Sequence, residues 1–402
     1  MDYLDKKSIR DIEVREKTVF LRCDFNVPLD PNGNITDTRR IDESLKTIKY
    51  LVDNKAKVVL CSHLGRPKCE FTGSLSMAPV AKYLSSITGK DVKLLPEITG
   101  ENTKNIINEM SFGDICLLEN IRFAEGEKTN DPEFAKELAS LADVYINDAF
   151  GACHREHAST AGIAKYLPSG YGFLIEKELS IIGKVLANPK RPFVSILGGA
   201  KISDKIGVIN SLLDIVDILI VGGGMSYTFA NALGYSVGTS LCETDKLDMA
   251  KDMMAKAKEK NVKFLLPLDI KVARKYDPNS EYKIVDFDKI PDGWMGLDIG
   301  PKTEKLFADA ITGAGTVIWN GPMGVSEWDN FASGTLALAK ALAKTNSISI
   351  IGGGDSAAAV VKLGYADKMT HVSTGGGASL CLLEGKELPA IKALEKREII
   401  ET

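Results

Sequence analysis

Neither sign of charge dominates this sequence. Fifty lysines and arginines stand against 54 acids, leaving a net charge of −4, so nothing supports a nucleic-acid or membrane-surface protein. The seven cysteines are odd in number and form no CxxC pair, which argues against a disulfide framework or a zinc cluster. The opening residues, Met-Asp-Tyr-Leu-Asp-Lys-Lys, lack the apolar core of a signal peptide, and no apolar run approaches bilayer-spanning length. The expected compartment is the reducing cytoplasm, with neither nucleic acid nor membrane as a partner. Low-complexity tracts and defensible internal repeats are missing too. So are the familiar nucleotide signatures: no GxxxxGK followed by Ser or Thr, no GxGxxG between strand and helix, and no HRD or DFG set. Arginine becomes scarce after residue 170, where only Arg191, Arg274 and Arg397 occur.

What is present is the composition of a globular protein, 44% hydrophobic and 26% charged, in a chain of 402 residues. That length suggests about two or three domains. Short apolar strands alternate with amphipathic helical stretches in both halves, the pattern of an α/β protein with parallel sheets covered by helices. Strands are expected at 18–23, 57–62, 91–95, 114–118 and 143–147, then at 193–197, 218–221, 262–266, 316–319, 347–351 and 371–373. Leu167-Pro-Ser-Gly-Tyr-Gly172 reads as a turn-rich boundary, and 173–186 as one helix long enough to brace two lobes. Two α/β lobes facing a cleft are expected, a first of residues 1–170 and a second of 171–388.

Three Gly-Gly-Gly runs end apolar stretches at 222–224, 352–354 and 375–377, and Gly198-Gly199 follows another. Glycine between strand and helix leaves backbone N–H groups unshielded, and with the helix dipole they attract phosphate. The segment 200–209 reads as a helix from its apolar positions 202, 206 and 209. Lys201 and Lys205, four apart, are then expected on one face near its start. Asp355 is either an ordinary N-cap or, beside a phosphate site, a ligand of Mg²⁺; the carboxylate's repulsion of phosphate favours Mg²⁺.

The first half gathers its arginines where strands end. Arg22-Cys-Asp24-Phe-Asn26-Val-Pro28, Ser62-His63-Leu-Gly-Arg66-Pro67, Glu119-Asn-Ile-Arg122 and Asn147-Asp148…His154-Arg155 each follow a strand, and Arg39 and Arg40 follow the Asn32-Gly33 turn. Ligands of open α/β sheets bind at such ends, and cations placed together repel unless an anion lies among them. A phosphate plus a carboxylate fits. His154 and His157 lack a third metal ligand.

These stretches, together with Leu197-Gly-Gly-Ala-Lys201, Gly222-Gly-Gly-Met225, Trp319-Asn-Gly-Pro322, Gly352-Gly-Gly-Asp355 and Ser373-Thr-Gly-Gly-Gly-Ala-Ser379, closely resemble phosphoglycerate kinase over essentially the whole chain. The resemblance implies two Rossmann-like lobes joined by a long helix and hinge near 170–190. It implies reversible phosphoryl transfer between ATP and the carboxylate of 3-phosphoglycerate, with 1,3-bisphosphoglycerate and ADP as the other pair. It places the substrate acid on Asp24, Asn26, Arg39, His63, Arg66, Arg122 and Arg155. The Mg-nucleotide falls to Lys201, Lys205, Gly222, Asn320, Pro322, Glu327, Gly352, Gly353, Gly354, Asp355 and Ser356, with Asp355 as the metal residue and Glu327 on the ribose. Arg39 and Lys201 are expected to flank the transferring group, with the amides of Gly353 and Gly376 taking further charge. A tail at 389–402 is expected to pack back on the first lobe, and the family implies a monomer. The acceptor carboxylate is ionised at neutral pH, so no general base is required. The rival expectation is another two-lobe ATP-dependent kinase of a small phosphorylated acid. Ser326 and Cys381 depart from the family's usual residues.

Overall fold

The computed structural model describes residues 5–397. Apolar runs form the first sheet from β1 (Thr18–Arg22), β2 (Lys57–Cys61), β3 (Val92–Leu94), β4 (Ile115–Leu117), β5 (Val144–Asn147) and β6 (Ser169–Tyr171), in the order β3-β4-β2-β1-β5-β6. Every pairing is parallel. The central strands are buried on both faces, as helix-covered parallel strands must be. Strand β6 corrects the turn read at 167–172. Ser-Gly-Tyr carries no strand periodicity, yet Gly170 lies so close to the carbonyl of Lys7 that a Cβ would sit 2.8 Å from its oxygen. Tyr171 N–H donates to that carbonyl at 3.0 Å, tying the edge strand to the chain start.

The second sheet collects β7 (Phe193–Leu197), β8 (Ile218–Val221), β10 (Lys263–Leu265), β15 (Thr316–Asn320), β16 (Ile348–Gly352) and β17 (His371–Val372), in the order β10-β8-β7-β15-β16-β17. It too is parallel throughout. Five further strands were not read from the sequence: β9 (Ser236–Val237) pairs with β13 (Lys289–Ile290), while β11 (Asp269–Ala273) lies antiparallel between β12 (Tyr282–Asp286) and β14 (Met295–Ile299). Strand β12 is mostly exposed, and Lys283 and Asp286 leave only Ile284-Val285 as an unbroken apolar pair, too short for an apolar-run reading.

The chain divides into two compact units, one running to Ser180 and resumed from Glu387, the other Ile181–Lys386. The helix Phe173–Ala187 carries the chain from one to the other. Each has its own core: Val19, Leu21, Leu60 and Ile146 lie in the first, and Val194, Ile220, Val317 and Trp319 in the second. The returning segment completes the first unit. Lys6 Nζ donates to the carbonyls of Lys392 at 2.7 Å and Leu394 at 2.6 Å, Lys7 pairs with Glu395, and Arg397 pairs with Asp11. Ile391 is fully buried there. Residues 398–402 of the expected tail lie outside the described residues.

Candidate active site

In the first unit the polar groups gather beyond the carboxyl ends of β1, β2, β4 and β5. The Ser62–Pro67 loop is held from beneath by Asn120, whose Nδ2 donates to the Leu64 carbonyl at 2.7 Å and whose Oδ1 accepts from Leu64 N–H. Asn26 Oδ1 accepts from Gly65 N–H at 2.8 Å, and Arg122 Nη1 donates to the Gly65 carbonyl at 2.6 Å. Asp24, buried, takes Arg40 Nη1 at 3.2 Å and lies 4.0 Å from His63 Nδ1. Asp24, Asn26, His63 and Arg122 thus share one set of contacts, and Arg66 and Arg155 adjoin them through their charges.

The cations press on one another. Burial and then the charges of Arg155 and Arg22 bring Arg122 down to about 10. Burial lowers Arg155 as well, and Arg66, Arg22 and Arg40 add to the effect against Asp24. His63 is held well below its usual range by burial, then by Arg22, Arg122, Arg155 and Arg40. Burial and Arg155 put His154 at about 4. Arg122 Nε and His154 Nδ1 are buried with no hydrogen-bond partner among the described residues. Such a cluster gains from an anion at its centre.

Arg39 does not join it, which corrects the choice made from the sequence. Its guanidinium is engaged by Asp37, with Nη2 to Oδ2 at 2.6 Å. Arg40, the next residue of the helix Arg39–Asp53, is the one that reaches Asp24 and the Asn26 carbonyl, the latter at 3.1 Å. Adjacent helical residues point about 100° apart, and here the two side chains hydrogen-bond different partners.

In the second unit the loops after β7, β8 and β15 touch backbone to backbone. A Cβ on Gly198 would sit 2.1 Å from the Pro322 carbonyl oxygen, and one on Gly223 2.6 Å from Gly199 N. These glycines serve close approach. Gly354 is different: a Cβ there would meet nothing, and its exposed amide opens the helix Gly354–Lys362, with Gly353 as N-cap at φ +89°. The Gly375–Gly377 loop backs this turn, Gly376 lying against Gly353. Gly376 itself begins the helix Gly376–Leu383.

Residues 200–205 are not helical, so Lys201 and Lys205 do not share a helix face as expected. The helix spans Ile206–Leu212. Ile202 is buried from a turn, and Glu243 takes the Ser203 N–H at 3.1 Å, which delays the helical ladder. Lys201 is exposed. Lys205 is buried, donates Nζ to Asn320 Oδ1, and is lowered to about 8 by burial. Asn320 Nδ2 is buried and unpartnered among the described residues. Ser356 Oγ accepts from Gly321 N–H at 3.1 Å, tying the β15 loop to the Gly352–Ser356 turn.

A cavity of about 860 Å³ opens beside these loops, lined among others by Gly199, Tyr227, Leu241, Pro322, Glu327 and Asp355. Gly223 and Gly224 line it, whereas Gly222 packs under Met323, its Cβ position 2.4 Å from the sulfur. The apolar wall, with Tyr276 and Met295, was missed in the sequence; alternation in Met295–Ile299 was its only signal. Asp355 is exposed, stands in the first helical turn and makes no cap bond. No cluster of three or more His, Cys, Asp or Glu side chains able to hold a metal occurs among the described residues. A cation shared between Asp355 and a phosphate ligand fits that donor set.

Two parallel-sheet units, one ending in a cationic cup and the other in glycine turns over a cavity, define an α/β phosphotransferase. Comparison with known proteins makes this particular. A family model described as phosphoglycerate kinase matches residues 9–386. A phosphoglycerate kinase of Clostridium botulinum (strain Alaska E43 / Type E3) is 58% identical over 393 residues, covering 97% of this chain and 99% of its own. Solved phosphoglycerate kinases from Coxiella burnetii (42% identical, TM-score 0.83) and Pyrococcus horikoshii OT3 (31%, 0.85) each cover 96% of this chain and 98% of their own. The chain belongs to the phosphoglycerate kinase family, phosphotransferases with a carboxyl group as acceptor. No helix among the described residues is long and apolar enough to cross a membrane.

Proposed function

We propose that this chain transfers phosphoryl reversibly between ATP and the carboxylate of 3-phosphoglycerate, as a cytoplasmic monomer. The observation that carries the assignment of the first unit is the gathering of Arg40, His63 and Arg122 about Asp24 and the Gly65 carbonyl, with Arg122 Nε buried and unpartnered among the described residues. There Asp24, Asn26, His63, Arg66, Arg122 and Arg155 hold the phosphorylated acid, with Arg40 in the role first given to Arg39. On the second unit Lys205, Asn320 and the Gly352–Ser356 turn receive the nucleotide phosphates, Glu327 the ribose, and the cavity the base.

The chemistry needs placement and neutralisation. The acceptor carboxylate attacks as the ion it already is, so no side chain has to remove a proton. Lys201, exposed and outside the helix, is the cation that meets the transferring group. The amides at Gly353, Gly354 and Gly376 add fixed donors at two helix starts. Mg²⁺, held by Asp355 together with the nucleotide, supplies charge neutralisation when bound.

The test is MgATP-dependent phosphorylation of 3-phosphoglycerate, read by coupling the acyl phosphate to an NADH-linked reductive dehydrogenase. Turnover that requires magnesium and is lost in Asp355→Ala and in Lys201→Met is the expected result. Nucleotide binding without turnover on this acid would transfer the assignment to another small phosphorylated acid.

A further inference from the structure

Beneath the cup runs a buried chain of groups that the reaction itself does not use. Glu127 is fully buried in the short helix Glu125–Lys128. It accepts from Ser159 N–H at 2.9 Å and from Ser159 Oγ at 2.7 Å, and lies 3.5 Å from His157 Nδ1. Because Ser159 gives its only hydroxyl proton to Glu127, its oxygen is left as an acceptor, and Arg22 Nε donates to it at 2.8 Å. Arg22, at the end of β1 and 1% exposed, also donates Nη1 to the Cys23 carbonyl. Its remaining arm, Nη2, lies 3.3 Å from His63 Nδ1.

Polarity along this chain is forced. A guanidinium has donors only, so His63 Nδ1 must accept, and the ring's proton must sit on Nε2. We propose that Glu127 and Ser159 are positioning residues that fix Arg22, and that Arg22 holds His63 as the neutral Nε2–H tautomer, presented to the acid substrate as an uncharged hydrogen-bond donor. The proposal rests on the reading that this cup binds 3-phosphoglycerate. Every element packed around the ring contributes a charge: Arg22 and Asp24 from β1 and its following loop, Arg40 from the helix Arg39–Asp53, Arg122 after β4, and Arg155 after β5. Four of these five are cations, and with burial they disfavour an imidazolium. Glu127 is kept ionised against its burial by His157, Arg22 and Ser159. It supplies the counter-charge that lets Arg22 stay inside.

An alternative with the same contacts is that the network serves stability alone. The two differ in what the imidazole does. Nitrogen-15 NMR of the full chain without ligands should show His63 with Nδ1 unprotonated and Nε2 protonated, unchanged from about pH 8 to about pH 5.5, through the range where free histidine titrates. A ring protonated on Nδ1, or an imidazolium at neutral pH, overturns the proposal.

Ser159→Ala cuts the chain between Glu127 and Arg22. It should give a mixture of His63 tautomers and raise KM for 3-phosphoglycerate about tenfold, with KM for ATP and kcat within about twofold. Glu127→Gln should move both readouts in the same direction. A purely structural network would lower the unfolding midpoint in these variants while leaving tautomer and KM as they were, and that result also overturns the proposal. Should a variant fail to fold, the wild-type spectrum still decides. If the spectra follow expectation but the wild type does not turn over 3-phosphoglycerate, the substrate reading fails while the relay to His63 stands.

Discussion

Replacing Arg40 and Arg39 separately by alanine distinguishes neighbours that the sequence presents as equals. Arg40 Nη1 is 3.2 Å from Asp24 Oδ2 and 3.1 Å from the Asn26 carbonyl, with the arginine 28% and the aspartate 5% exposed. A bare charge about 4 Å from an anion, at an effective dielectric constant of about 20, contributes about 4 kcal/mol. That is an upper figure here, because Asp24 already shares the charge and water reaches it. A hydrogen bond to a charged group nets about 1.5–3 kcal/mol, so kcat/KM for 3-phosphoglycerate should fall about 10- to 150-fold in Arg40→Ala. Arg39 is held by Asp37 in a pair whose side chains are 35% and 28% exposed. Such pairs are worth about 0–1 kcal/mol, so Arg39→Ala should change kcat/KM by less than about fivefold. The assay is the coupled reaction at saturating MgATP with 3-phosphoglycerate varied, and urea midpoints confirm that both variants are folded. Equal losses, or a larger loss from Arg39, would refute the reasoning.

Lys205, lowered to about 8 by burial, loses its ammonium as pH rises through that value. Affinity for MgATP should therefore fall between about pH 7 and 9, and the step should vanish in Lys205→Arg; calorimetric titration showing a flat wild-type profile would count against this. Asp298, pushed by burial from 3.8 to about 7, favours its protonated form in the fold. Its contribution to stability is then full below about pH 4 and lost as pH climbs to about 7. Asp298→Asn, which lacks that loss, should gain stability relative to the wild type across this range, and a constant difference in urea midpoints would contradict it. Ile391→Ala, at a fully buried position of the returning segment, should cost the first unit about 2–4 kcal/mol in denaturant unfolding. A loss under about 1 kcal/mol would mean that the segment is not part of that core.

The strands at the centre of both sheets were legible because each is a short apolar run that burial on two faces demands, as in Phe193–Leu197. The edges were not. Ser169-Gly-Tyr171 extends the sheet by pairing with β5, and Lys7 lies against it from more than 160 positions away. The periodicity at 202, 206 and 209 was real, but a turn buries Ile202 as well as a helix would. Within the site, residue types and approximate positions were readable, while choices that turn on direction were not. Arg39 against Arg40, and Gly222 against Gly223, are one residue apart in sequence and face different neighbours in space. The glycine runs also held two populations, one required by loops packed on each other and one leaving an open helix start, and only coordinates separate Gly198 from Gly354.

The return of the chain to Lys6 sets an order of events during synthesis. The second unit is one continuous stretch, Ile181–Lys386, and holds all the residues of its core once that stretch has left the ribosome. The first unit, although begun earlier, is still missing Ile391 and the carbonyls of Lys392 and Leu394 at that moment. Lys6 can give its ammonium to those carbonyls, and Ser169 Oγ of β6 can accept from Glu395 N–H, only after translation has passed residue 395. The half of the protein made first is therefore the half completed last. A nascent chain stalled before that point carries a finished second unit beside an unfinished first one.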